Sequence, residues 1–104
     1  MPSIEEISDT LKLLSDKSRL TILALLKHKE MCVCDIVGIL ATTQPNVSQH
    51  LRKLKSGGLV RETRKSQWIY YALDVEDKPY LKPVIEQLPS MQMQIDAAKP
   101  QVCT

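Results

Sequence analysis

No apolar run in this 104-residue chain approaches the ~18 residues that a membrane-spanning helix needs. The opening stretch, Met1-Pro2-Ser3-Ile4-Glu5-Glu6, is acidic and lacks the basic-then-apolar pattern of a signal peptide, so a cytoplasmic location is expected. Only three glycines occur, and they build no phosphate-cradling loop. There are two histidines and no nucleophile–base motif. An enzyme is therefore not expected, nor is an organic cofactor. Internal repeats and low-complexity tracts are absent. The length allows one domain, expected over residues 1–88, with 89–104 as a partly mobile tail. A domain this small buries roughly 60–65% of its surface, and dimerisation would add core. The three cysteines, in a reducing compartment, are expected as thiols rather than disulfides.

The net charge of +2 conceals an asymmetry. Between Gln44 and Gln67 six cations (Arg52, Lys53, Lys55, Arg61, Arg64 and Lys65) face a single acid, Glu62. That segment carries +5 and the remainder −3, which points to a polyanionic partner.

Capping signals and periodicity divide the chain. Ser3 with Glu6 reads as a capping box, followed by Ile4, Ile7, Leu11 and Leu14 at helical spacing. Asp16 can cap a second helix carrying Leu20, Leu23 and Leu26, closed by Lys27, His28 and Lys29. A third helix is expected from about Cys32 to Leu40, with Val33, Ile36, Val37 and Leu40 inward. Ala41-Thr42-Thr43 makes a turn. Thr43 caps a fourth helix that tolerates Pro45 in its first turn, buries Val47, Leu51 and Leu54, and ends at Gly57-Gly58. Val60 to Arg64 and Gln67 to Leu73, rich in Val, Thr, Trp, Ile and Tyr, read as a β-hairpin with a charged tip that lacks an Asn-Gly turn. Leu81, Val84, Ile85 and Leu88 suggest a short helix limited by prolines, and the stretch from Ser90 is ambiguous in structure, with Met91, Met93 and Ile95 as candidates to pack on the rest.

Helix, three-residue turn, helix and basic hairpin is the order of a winged helix-turn-helix, an α+β and mostly helical class. With Val47, Leu51 and Leu54 inward, the fourth helix offers Gln44, Asn46, Ser48, Gln49, His50, Arg52 and Lys53 to the outside. Amides can pair with adenine edges and Arg with guanine, while later cations meet phosphates. The hairpin tip adds Arg64, Lys65 and Gln67 for a neighbouring groove or backbone. Double-stranded DNA is the expected partner; a winged-helix module that binds protein is the alternative from another class.

Several segments resemble the ArsR/SmtB family of metal-sensing repressors. They are Asp16-Lys17-Ser18-Arg19-Leu20-Thr21-Ile22-Leu23, Cys32-Val33-Cys34-Asp35, Gln44-Pro45-Asn46-Val47-Ser48-Gln49-His50-Leu51, and Gly57-Gly58-Leu59-Val60 with Tyr70-Tyr71. Cys32-Val33-Cys34-Asp35 resembles the arsenical-responsive branch. The resemblance spans about residues 5 to 88. It implies a homodimer through the first and post-wing helices, bound to a palindromic operator, with repression relieved by inducer.

A cysteine at a helix N-terminus has its thiolate favoured by the helix dipole, and Asp35 opposes this if near. Plain packing is the other reading of either cysteine, since free cysteine is often buried. On this helix Cys32 and Cys34 project about 200° apart, so a shared ion would distort the first turn and shift the recognition helices. Thiolates without a nearby histidine suit As(III) or Sb(III) better than zinc, which wants about four ligands. The post-wing segment has Asp74, Glu76, Asp77 and Glu86 but no His, unlike zinc-sensing members, and the N-terminal arm has no Cys. Where some arsenical-responsive members carry a third cysteine, this chain has Val37. Cys103 is then a candidate third ligand or an unrelated thiol. Thiol-oxidation sensing is a further alternative, although a Cys32–Cys34 disulfide would be strained.

Overall fold

The computed structural model describes residues 2–98, in the order α1 (Ile4–Leu14), α2 (Lys17–Leu26), β1 (Met31–Cys32), α3 (Val33–Leu40), α4 (Gln44–Ser56), β2 (Val60–Lys65), β3 (Trp68–Leu73), α5 (Lys82–Gln87) and α6 (Gln92–Ala97). The caps act as their residue types dictate. Ser3 Oγ accepts from Glu6 N–H at 3.1 Å, and Asp16 Oδ1 accepts from Arg19 N–H at 3.1 Å. Thr43 Oγ1 accepts from Asn46 N–H at 3.4 Å at the start of α4.

Helix α2 is the centre of the molecule. Ile22 to Leu26 are all buried, as expected of a helix apolar on every side. Val47, Leu51 and Leu54 of α4 and Ile36 of α3 are fully buried in the same core. Each such side chain contributes roughly 1.5–3 kcal/mol by leaving water. The turn between α3 and α4 requires a left-handed residue, and Ala41 supplies it at φ 53°. Gly58, at φ 74°, does the same after α4.

The hairpin pairs Val60 with Leu73 through Lys65 with Trp68. Ser66, at φ 60°, opens its two-residue turn and takes the positive φ for which the sequence offers no glycine. A third strand was not anticipated. β1 adds antiparallel to β3, Met31 opposite Tyr71 and Cys32 opposite Tyr70, giving the order β1-β3-β2.

Helix α5 forms where the apolar spacing predicted it, with Leu81 and Ile85 buried. Helix α6 lies in the stretch from Ser90 that the sequence leaves ambiguous. Met91 and Ile95 pack on the core, and Met91 N–H donates to His28 Nε2 at 3.0 Å. Lys27 Nζ donates to the carbonyls of Glu86 (3.3 Å) and Leu88 (3.0 Å), tying the end of α5 to the end of α2. This is a winged helix-turn-helix, with α3 and α4 as the helix pair and β2–β3 as the wing.

Candidate nucleic-acid interface and thiol site

The buried stripe of α4 fixes what its other face presents. Gln44, Gln49, Arg52 and Lys53 are exposed, and Asn46, Ser48 and His50 are half-buried. Two of the expected base readers have partners within the protein. Asn46 Nδ2 donates to Thr42 Oγ1 at 3.1 Å, and His50 Nδ1 lies 3.4 Å from Arg19 Nη1. At the wing tip Arg64, Lys65 and Gln67 are exposed. Lys65 is paired with Glu30 and sits 5.2 Å from the centroid of the Tyr70 ring, so its charge is partly neutralised.

A polar brace joins the wing to α4. Tyr71 Oη donates to Glu62 Oε2 at 2.7 Å, and Lys55 Nζ of α4 lies 3.3 Å from Glu62 Oε1. The phenol and the ammonium hold the Glu62 carboxyl below its usual range. Burial, followed by the hydrogen bond to Glu62, pushes Tyr71 up to about 12.

The thiol site differs from expectation in its backbone. Cys32 is not helical: at φ −83°, ψ 165° it is the N-cap of α3 and also the last residue of β1. The N-cap position requires extended backbone, and the open edge of β3 takes up that extension. The 200° separation therefore does not apply, because only Cys34 lies within the helix. Asp35 closes a capping box. Its carboxylate accepts from Cys32 N–H at 3.4 Å, and its own N–H faces the Cys32 sulfur, the weaker half because sulfur is a poor acceptor.

Cys32 is half-buried and carries a free thiol. Its pKa is raised, first by burial and then by the Asp35 carboxylate, which outweigh the stabilising Asp35 N–H. The expected dipole-favoured thiolate thus loses to desolvation. Cys34 lies in the first turn of α3, two residues on from Cys32. Cys103 lies outside the described residues. Among the described residues no group of three or more His, Cys, Asp or Glu is arranged to hold a metal ion.

Arg19 went unnoticed as a functional candidate. Its only sequence signal is its place in Asp16-Lys17-Ser18-Arg19, one of the segments that carry the family resemblance.

Residues 16–62 match the bacterial regulatory protein, arsR family. An arsenical resistance operon repressor of Staphylococcus xylosus is 38% identical over 79 residues, 76% of each chain. An arsenic resistance transcriptional regulator of Pseudomonas putida is 39% identical over 69 residues, 65% of this chain and 60% of that protein. The chain spans 46–66% of the length of the first three curated relatives that it matches. Among solved structures, a homodimeric winged helix-turn-helix DNA-binding domain from Mycobacterium bovis superposes with a TM-score of 0.71 at 31% identity, covering 80% of this chain and 77% of that one. The chain belongs to the arsR family of bacterial regulatory proteins, whose members here are regulators of transcription and not enzymes.

Proposed function

We propose that the chain is a cytoplasmic, homodimeric repressor that binds operator DNA through α4 and the wing and lets go when As(III) or Sb(III) binds Cys32 and Cys34. The observation that carries the reading is the position of the Cys32 thiol. It sits where β1 hands over to α3, two residues from Cys34 and one helix before the basic α4. The names of the Staphylococcus and Pseudomonas relatives point to the same inducer.

In this reading Gln44, Asn46, Ser48, Gln49 and His50 face base edges, and Arg52, Lys53, Arg64, Lys65 and Gln67 face the backbone or a minor groove. The second copy covers the apolar face of α1. There Ile4 (83% exposed) and Leu11 (49%) border an open groove of about 450 Å³, and Val84 of α5 is also exposed.

The chemistry suits a thiol of raised pKa. Each As–S bond forms as an As–O bond of arsenous acid breaks, and the thiol proton leaves with the hydroxide as water. Prior ionisation is unnecessary. Cys34 takes part as a reduced thiol, and Cys103 is a candidate third sulfur. Drawing Cys32 toward Cys34 strains either the first turn of α3 or the pairing of β1 with β3. Strain on β1 reaches Tyr71 and, through Glu62, Lys55 of α4.

The experiment titrates arsenite, zinc and peroxide separately into reduced protein on a fluorescent fragment of its own promoter, following anisotropy. Release by arsenite but not zinc, abolished in Cys32→Ser and Cys34→Ser, supports the arsenical switch. Release by peroxide alone transfers the protein to redox sensing. Failure of the parent to prefer the promoter over random DNA removes the repressor reading.

A further inference from the structure

Arg19 joins three elements. It stands on the first turn of α2, half-buried, and its Nε–H donates to the carbonyl of Leu13 at 2.7 Å. That carbonyl belongs to the last turn of α1, where helical donors have run out. The other end of the guanidinium, Nη1, lies 3.4 Å from Nδ1 of His50, the middle of α4.

Arginine has donors only and keeps its proton at every accessible pH. His50 Nδ1 must therefore accept, and the single proton of the neutral ring must reside on Nε2. The same contact restrains the rotation of the ring. Asp16, the N-cap of α2, adds its carboxylate beside Arg19: its pKa is lowered chiefly by the hydrogen bond from Arg19 N–H, and then by the Arg19 charge. His50 shares its face of α4 with Asn46 and Lys53, four residues before it and three after.

We propose that Arg19 is a positioning residue for DNA recognition, fixing the tautomer and direction of His50 so that its Nε2–H is offered as a donor to the nucleic acid. The inference rests on the reading of α4 as the recognition helix. Arg19 itself touches no DNA in this account; its Nε–H goes to Leu13 and one Nη1–H to His50, two of its five donors. His50 is a donor aimed from α2, and its aim comes from outside the helix that carries it.

The test compares parent, Arg19→Ala and Arg19→Lys on the promoter fragment and on random-sequence DNA of equal length, over a range of salt. Lysine keeps the charge but has one point donor in place of a fork, and it serves if the alanine variant melts. Both variants are expected to lose about tenfold in promoter affinity, the loss of one well-aimed hydrogen bond to a base edge. Random-DNA affinity and the slope of log affinity against log salt should match the parent, since no phosphate contact is removed. Nitrogen NMR of the parent should place the His50 proton on Nε2 above the histidine titration range, and the variants should show a tautomer mixture.

Unchanged promoter preference in both variants overturns the inference. So does a salt slope reduced by about 0.9, which would make Arg19 a phosphate contact. A parent with the proton on Nδ1 overturns it without any variant. A parent with no preference for the promoter instead overturns the DNA-binding reading beneath it.

Discussion

Replacing Tyr71 by Phe removes one hydroxyl and leaves the ring. That hydroxyl donates to Glu62 at 2.7 Å, and the phenol is raised from 10.0 to about 12. Two units correspond to about 2.7 kcal/mol, but burial, the largest cause, only penalises the ionised phenol, so the hydrogen bond to Glu62 accounts for a smaller share. Tyr71 is only half-buried and Glu62 is exposed, so solvent screening reduces the expected contribution to about 1 kcal/mol. The sign follows from the direction of the shift. The fold favours the neutral phenol, so the contribution is fully present below the unfolded value near 10 and is lost as pH rises toward 12. Urea unfolding of parent and Tyr71→Phe, from neutral pH to about 12, measures it. The difference should hold near 1 kcal/mol up to about pH 10 and then shrink toward zero, with a melting-temperature gap of roughly 4–8 °C at neutral pH. A gap that persists unchanged at the alkaline end would mean that the hydroxyl acts by packing, and the brace as described would be wrong.

Leu51→Ala should cost about 2–5 kcal/mol in urea unfolding, because Leu51 is fully buried at the seat of α4. Ala41→Gly should be neutral or stabilising by up to about 1 kcal/mol, since Ala41 holds a left-handed φ of 53°; a clear loss in thermal melting would contradict this. Asp16→Ala should cost about 1 kcal/mol near neutral pH. The carboxyl is held below its usual value, so that cost should be present above about pH 4 and vanish as pH falls through the folded value; acid titration of both proteins checks it. Promoter affinity should fall steeply with salt, and Arg52→Ala should lower the slope by about 0.9; a flat response would exclude phosphate contacts.

Where local signals and tertiary demands coincide, the elements were readable from residues alone. Ser3, Asp16 and Thr43 cap their helices as their side chains require, and Val47, Leu51 and Leu54 point inward at the spacing a helix imposes. β1 escaped because two residues hold no alternation; it exists only because β3 has a free edge, which is non-local information. Cys32 was placed in the helix for the same reason, since cysteine carries no capping signal and extended pairing decided its backbone. Helix α6 depends on the core against which Met91 and Ile95 pack and on His28, which accepts from Met91 N–H; the apolar residues were visible in the sequence, but their docking site was not. The exposed face of α4 was legible as a set. Its internal ties, Asn46 to Thr42 and His50 to Arg19, were not, because they depend on how α2 and the α3–α4 turn approach it.

The strand order β1-β3-β2 also bears on solubility. A sheet edge with free backbone groups is a template for another chain. Here β3, with its two tyrosines, is the middle strand, shielded on one side by only two residues. The other outer edge, β2, carries Arg61, Glu62, Arg64 and Lys65, charges that discourage stacking of copies. Whatever loosens β1 uncovers the backbone of Tyr70 and Tyr71. A Met31→Pro variant, which cannot donate to that ladder, should therefore aggregate at concentrations where the parent remains dispersed.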